Sequence, residues 1–296
     1  MERTTEAPSL LREAAAKAGL RAAGAELIRL GENALYRLPG GVVARISRAG
    51  QQAAAAKEVL VSRWLERAGV DAARVLSDVE QPIEVDGRAV TFWHELPPHV
   101  RGTTRDVARV LRHFHALPPP DFELPPLSPF VRLPERIERA DFLTSDDRAW
   151  MCERLAELRH RYVELPPGRP SSVVHGDAWV GNVAVTEEGR AVLHDFERCS
   201  LGPPEWDSIH SAIKHSSFGW EPPDEYAEFV SVYGHDVTEW EGFATLRDIR
   251  EFRMTCMAVQ IATEDPRARD QAFHRLACIR GERGTRPWSG WRGVPF

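Results

Sequence analysis

Residues 173–197 read VVHGDAWVGNVAVTEEGRAVLHDFE, and this stretch organises the chain. Three polar signals lie between short apolar runs: His175-Gly176-Asp177, then Asn182, then Asp195-Phe196-Glu197. Residues 171–174 and 183–186 are rich in β-branched side chains, and 191–193 is a third apolar run. Glu187-Glu188-Gly189 separates the last two as a turn. The pattern predicts strands that carry polar residues at their ends and on the loop between them. An Asp five residues before an Asn, followed by a second Asp at the end of the next hairpin, is the layout that Mg-dependent phosphoryl transfer requires. One carboxylate faces an acceptor hydroxyl while an amide oxygen and a second carboxylate hold the cation against phosphates.

The 296 residues suffice for a full core and two lobes. A net charge of −6 argues against nucleic acid as a partner. No apolar run approaches the roughly 18 residues of a membrane span, and residues 1–6 lack a basic segment leading into an apolar one, so neither a membrane anchor nor a signal peptide is expected. Cys152, Cys199, Cys256 and Cys278 are widely spaced and read as reduced thiols of a cytoplasmic protein. Of 38 basic residues, only Lys17, Lys57 and Lys214 are lysine.

Outward from the central stretch, the first third predicts a small antiparallel sheet. Ser9 caps a helix over 10–18, and strands follow at 26–30, 34–38 and 42–47, with Gly31-Glu32-Asn33 as the first turn. That turn is either a plain hairpin or a loop whose N–H groups cover phosphates. Residues 51–68 form a helix with an apolar stripe of Val59, Leu60, Trp64 and Leu65. Arg45 on the third strand and Glu58 in this helix are either a pair that holds a cation over phosphates or two independent surface charges. Further strands are expected at 75–79, 81–85 and 88–95, with Asp86-Gly87 as a turn. Pro97-Pro98 ends this lobe, which gives a division into 1–96 and 97–296. Helices at 104–117 and 145–162 flank a proline-rich loop over 118–134 in the second, mainly helical lobe.

Residues 175–182 spell H-G-D-x-x-x-x-N, the Asp-to-Asn spacing of the protein-kinase catalytic loop, and DFE stands where those enzymes carry DFG. The pattern HGDxxxxN, DFE and G-x-x-x-x-D, carried by His175, Gly176, Asp177, Asn182, Asp195, Phe196, Glu197, Gly202 and Asp207, resembles the aminoglycoside phosphotransferase and choline kinase-like small-molecule kinases. The resemblance implies an α+β, bilobal protein kinase-like fold: a small antiparallel-sheet N-lobe with one helix and a larger helical C-lobe. It implies Asp177 as the catalytic carboxylate, Asn182 and Asp195 as Mg2+ ligands, and His175, Glu197 and Asp207 as supporting residues. The nucleotide, ATP or GTP, would meet Gly31, Asn33, Val43, Arg45 and Glu58, with the backbone of Trp93, His94, Glu95 and Leu96 as the hinge.

One departure stands out. Arg45 occupies the strand position where that family places a lysine, and arginine differs from lysine in length and donor geometry. Between Lys214 and Arg247 seven carboxylates occur without a lysine or arginine. This acidic stretch is either a solvated helix face or an acceptor site, with Trp220, Glu221, Asp224 and Glu225 as acceptor-binding candidates. The expected activity is transfer of the γ-phosphate of ATP or GTP to a hydroxyl of a small molecule. An antibiotic is the first substrate class; an amino alcohol, a homoserine-like compound or a sugar is the second. A nucleotide-binding pseudokinase is the non-enzymatic alternative, and the protein is expected as a monomer or homodimer.

Overall fold

The computed structural model describes residues 2–31 and 33–293, so the expected turn residue Glu32 lies outside the described residues. In chain order the elements are α1 (Glu2–Lys17), β1 (Glu26–Leu30), β2 (Ala34–Leu38), β3 (Val42–Ala49), α2 (Gln52–Arg67), β4 (Ile83–Val85), β5 (Arg88–His94), β6 (His99–Arg101), α3 (Thr104–Phe114), α4 (Leu133–Glu138), α5 (Ser145–Val163), β7 (Ser172–Val174), β8 (Val183–Thr186), β9 (Ala191–Leu193), β10 (Ser200–Gly202), α6 (Glu205–Ser216), α7 (Pro223–Tyr233), α8 (Phe243–Glu264) and α9 (Arg269–Ile279). This is the expected α+β composition, and the chain folds as two compact units: Met1–Pro125 with Val180–Ser200, and Pro126–Trp179 with Leu201–Phe296.

The first unit is built on an antiparallel sheet in the order β1-β2-β3-β5-β4. Alternation sets its faces: on β2 and β3 the side chains of Tyr36, Leu38, Val42, Ala44 and Ile46 are buried, joined by Phe92 from β5. Helix α1 covers this face with Leu10, Leu11, Ala14 and Ala15. It begins well before the expected Ser9 cap because its apolar stripe already includes buried Ala7. The expected strand at 75–79 does not form: Val75 makes a single bridge to Trp93. The next strand starts only at Ile83, since Pro82 has no N–H for a ladder. On α2, Ala55, Val59, Val61, Trp64 and Leu65 are buried, and Trp64 packs edge-on against Phe114 of α3 with centroids 5.9 Å apart. Leu60, expected in that stripe, is 41% exposed, because the helical repeat turns Val61 inward instead. Helix α3 starts with a reciprocal capping box between Thr103 and Asp106 and stops at Phe114, three residues short of the expected end.

The hairpin β8–β9 completes this unit with the pairs Val183↔Leu193, Ala184↔Val192 and Val185↔Ala191, and β6 extends it along β8. The second unit is helical. Helix α8 runs through its core, burying Leu246, Ile249, Phe252, Cys256 and Val259 and packing on α4, α5, α6 and α9.

Candidate functional site

In the first unit, the β8–β9 register carries the polar residues to one end. Asn182 directly precedes β8 and its carbonyl accepts the His194 N–H at 3.0 Å, so Asn182 and Asp195 flank the open end of one hairpin. Asn182 is buried, whereas Asp195 is exposed and adopts a left-handed backbone with φ 68°. Asp is among the few residues besides Gly that tolerate this region. A single 3₁₀ turn, Phe196–Arg198, follows.

Arg45 and Glu58 form the pair expected from β3 and α2, through Arg45 Nη1. The pairing goes further: Arg45 Nη2 donates to Glu197 Oε2 at 3.2 Å. The Asn33 amide, turned with its oxygen toward Arg45, accepts from Nε at 3.0 Å and Nη2 at 2.7 Å. Thus Asn33, Arg45, Glu58 and Glu197 form one network, with the guanidinium fork at its centre. Burial pushes the Glu58 carboxyl up to about 7, opposed by Arg45 and reinforced by Asp195 and Glu197. Burial also disfavours the charge on Arg45, but Glu58, Asp195 and Glu197 outweigh it and hold the guanidinium protonated. Lys57, the neighbour of Glu58, points elsewhere: its Nζ donates to the carbonyls of Glu197 at 2.7 Å and Cys199 at 2.9 Å.

The hinge candidates cluster at the end of β5. Val43 pairs with Trp93 and Val42 with His94. The N–H of His94 donates to the Arg74 carbonyl and that of Glu95 to the Gly41 carbonyl, while Arg37 Nε binds the Glu95 carboxylate at 2.6 Å. Trp93 is buried, donates to Thr91 Oγ1 at 2.8 Å and lies 6.4 Å from the Phe196 ring. Gly31 closes the β1–β2 turn by donating to the Asn33 carbonyl at 3.1 Å.

In the second unit, the turn that carries Asp177 is fixed from below. Fully buried Asp207 accepts the N–H groups of His175 at 2.7 Å and Gly176 at 2.8 Å. Trp206 Nε1 donates to the Gly176 carbonyl at 3.1 Å. Gly176 has φ 83°, which glycine adopts without the cost a side chain would bring. The buried His175 ring accepts the Asp177 N–H at 3.3 Å. The Asp177 side chain is 45% exposed and lies 3.8 Å from Arg250 Nη1. Neither Arg250 nor Trp206 was singled out by the sequence. Trp206 carried one signal, its place beside Asp207, while Arg250 is remote in sequence and carried none.

The acceptor-binding candidates separate. Glu221 is buried and pairs with buried Lys214 at 2.9 Å, so its charge is used inside the fold. Asp224 and Glu225 are exposed in the first turn of α7. Trp220 is 42% exposed, and its Nε1 donates to the Trp291 carbonyl at 2.8 Å. No helix among the described residues is long and apolar enough to cross a membrane.

Comparison with known proteins places these features in context. An amicoumacin kinase solved with AMP-PNP, Ca2+ and amicoumacin (hAmiN) is 15% identical, covers 98% of each chain and superposes with a TM-score of 0.71. A choline/ethanolamine kinase family protein from Mesorhizobium loti is 18% identical over 95% of this chain and 97% of its own, with a TM-score of 0.65. Aminoglycoside phosphotransferase APH(3'')-Id from Streptomyces rimosus is 21% identical over 83% of this chain and 97% of its own, with a TM-score of 0.60. At these identities the likeness is one of fold, the protein kinase-like fold that the sequence resemblance implied. No curated protein matches the sequence. The phosphotransferase enzyme family (APH) matches residues 26–247, three quarters of the chain, and the protein belongs to that family.

Proposed function

We propose that the protein transfers the γ-phosphate of ATP or GTP to a hydroxyl of a small molecule, with an antibiotic as the first substrate class. The observation that carries this reading is the first unit's network. Asn182 and Asp195 share one hairpin end, and Arg45 of the Arg45–Glu58 pair also binds Glu197, two residues after Asp195. An amide oxygen and a carboxylate are hard donors, a set that fits Mg2+ with phosphate oxygens and water as its remaining ligands. When bound, the cation supplies charge neutralisation across the β- and γ-phosphates. Arg45, held by Glu58, would offer its charge to the phosphates, and the backbone from Trp93 to Leu96 would meet the base. Asp177 orients the acceptor hydroxyl and accepts its proton, on a turn that Asp207 and Trp206 keep in place. In this reading the lobes divide functionally near residues 96 and 97.

Antibiotic kinases and choline or ethanolamine kinases both occur among the structural neighbours, which keeps a metabolic amino alcohol or sugar as the second substrate class. The internal pairing of Glu221 weakens the case for a purely acidic, polycation-binding cleft. The test is a coupled nucleotide-turnover screen over antibiotics, sugars and amino alcohols, with Asp177→Asn as control. Acceptor-dependent turnover that vanishes in the variant supports the assignment. Tight nucleotide binding without turnover of any acceptor points to a pseudokinase.

A further inference from the structure

We infer that Lys57 is a positioning residue that clamps the segment after Asp195 to helix α2 and thereby holds the candidate metal carboxylate in place. This rests on the assignment of Asp195 as a metal ligand. Lysine is rare in this chain, and a family lysine is missing from β3, so Lys57 could be mistaken for its replacement at the phosphates. The geometry assigns it differently. Its ammonium donates to two backbone carbonyls, Glu197 at 2.7 Å and Cys199 at 2.9 Å, which lie two and four residues beyond Asp195. Two of its three donors are spent on the 3₁₀ turn Phe196–Arg198 and the residue after it.

The neighbouring Glu58 reaches the same turn by a second route, through Arg45 to the Glu197 carboxylate. Two consecutive residues of α2 therefore act on one short turn, Lys57 directly on its backbone carbonyls and Glu58 through Arg45 on the Glu197 side chain. The turn needs such a grip. Asp195 holds a left-handed backbone at φ 68°, a conformation that side chains disfavour and that persists where its surroundings impose it. Bonds to charged donors are the stronger class, and a partly buried ammonium is only retained where it is satisfied. Burial lowers the Lys57 pKa, against the pull of the Cys199 thiol, Glu58 and Glu197, with Arg198 adding to the lowering.

The experiment uses the full chain and two variants, Lys57→Met and Lys57→Arg. Binding of Mn2+ in the presence of a non-hydrolysable ATP analogue is measured by calorimetry, and exchange of the 196–200 amides by hydrogen–deuterium mass spectrometry. Lys57→Met should weaken Mn2+ binding by about 10- to 100-fold, as loss of a residue that orients a ligand does, and accelerate exchange at 196–200 but not in β2 and β3. Lys57→Arg, which can still donate to two carbonyls, should recover most of both. Unchanged Mn2+ binding and exchange in Lys57→Met overturn the clamp. Should Lys57→Met fail to fold, weak Mn2+ binding with fast exchange at 196–200 in a folded Lys57→Arg also overturns it. Asp195→Asn separates the underlying assignment: if it binds Mn2+ as well as the wild type, the metal role is wrong, while the exchange result still decides whether Lys57 is a clamp.

Discussion

Arg250 Nη1 lies 3.8 Å from Asp177 Oδ1, and the same guanidinium stacks 4.6 Å over the ring of Trp206. The separation is an ion pair rather than a hydrogen bond. Arg250 is 4% exposed, so its charge acts on Asp177 with little solvent screening on its own side. It links α8 to the turn that Trp206 also holds through the Gly176 carbonyl. Arg250→Met should lower kcat by about 10- to 100-fold, the scale of a small misplacement of a reacting group, with a smaller effect on nucleotide KM. Loss of the stacking should also cost about 1–2 kcal/mol of stability. Steady-state kinetics with both substrates varied, alongside denaturant melts, checks this. An unchanged kcat in a destabilised variant would leave Arg250 a packing residue.

Asp207 anchors the same turn from its other side. Its two oxygens each accept one backbone N–H, from His175 and Gly176, in a fully buried setting. Charge-assisted bonds of this kind contribute roughly 1.5–3 kcal/mol each, and the two N–H groups lose their partner in Asp207→Ala. That variant should lose at least about 3 kcal/mol of unfolding free energy, and urea titration reads it. Asp207→Asn presents one oxygen and should fall between alanine and wild type.

These two anchors show where the sequence was legible and where it was not. The hairpin β8–β9 formed at the predicted residues because strand alternation and a Glu-Glu-Gly turn are local signals. The Arg45–Glu58 pair was legible only in part: the strand and helix positions left two independent surface charges open as well, and it was the HGDxxxxN motif downstream that favoured a pair. Asn33 and Glu197 joining that pair were not, because the contact depends on how a turn and a 3₁₀ segment fold onto β3. Glu221 misled for a related reason: a run of carboxylates looks solvated until a buried lysine claims one. Leu60 and the start of the strand expected at 81–85 failed at the level of boundaries, where a residue of shift on a helix or one proline changes the outcome, while the strand expected at 75–79 is reduced to one bridge from Val75 to Trp93.

His210 gives the second unit a pH dependence. Its Nδ1 is buried, its ring stacks on Trp179 with centroids 6.3 Å apart, and burial, Arg250 and Lys214 hold its pKa well below the ordinary 6.5. The folded state therefore keeps the ring neutral where the unfolded chain takes up a proton. Stability from this group is full above the unfolded pKa and is lost as pH falls below it, at most about 1.4 kcal/mol per pH unit. Urea midpoints at pH 7.5 and 5 should fall further for the wild type than for His210→Phe. Equal falls in both proteins would remove His210 from the account.

The four thiols should differ sharply in reactivity. Cys152 is exposed, whereas Cys199, Cys256 and Cys278 are buried. Burial pushes the Cys256 thiol up to about 12 and the Cys278 thiol up to about 11, which suppresses the reactive thiolate. Brief alkylation at pH 7.5 should add one iodoacetamide adduct, at Cys152, and four after unfolding. Rapid native labelling of Cys256 would contradict the packing of α8.

Arg45 poses the question of whether its exchange for the lysine of the resembled family is neutral. A lysine carries its three donors on one atom, whereas Arg45 reaches Glu58 from Nη1, Glu197 and Asn33 from Nη2, and Asn33 again from Nε. No single ammonium position reproduces a fork of that span, so Arg45→Lys must surrender Glu197 or Asn33 to keep Glu58. Where Glu197 is surrendered, its carboxylate is left partly buried two residues from Asp195, where its charge costs more than in water. Arg45→Lys should therefore raise nucleotide KM by about tenfold, equivalent to roughly 1.4 kcal/mol, and lower the melting temperature. Adding Glu197→Gln to Arg45→Lys should recover part of the lost stability, because it removes the uncompensated charge. A lower nucleotide KM in Arg45→Lys than in the wild type would mean that Arg45 is a weakened substitute for lysine, and that the network with Asn33 and Glu197 has no part in binding the donor.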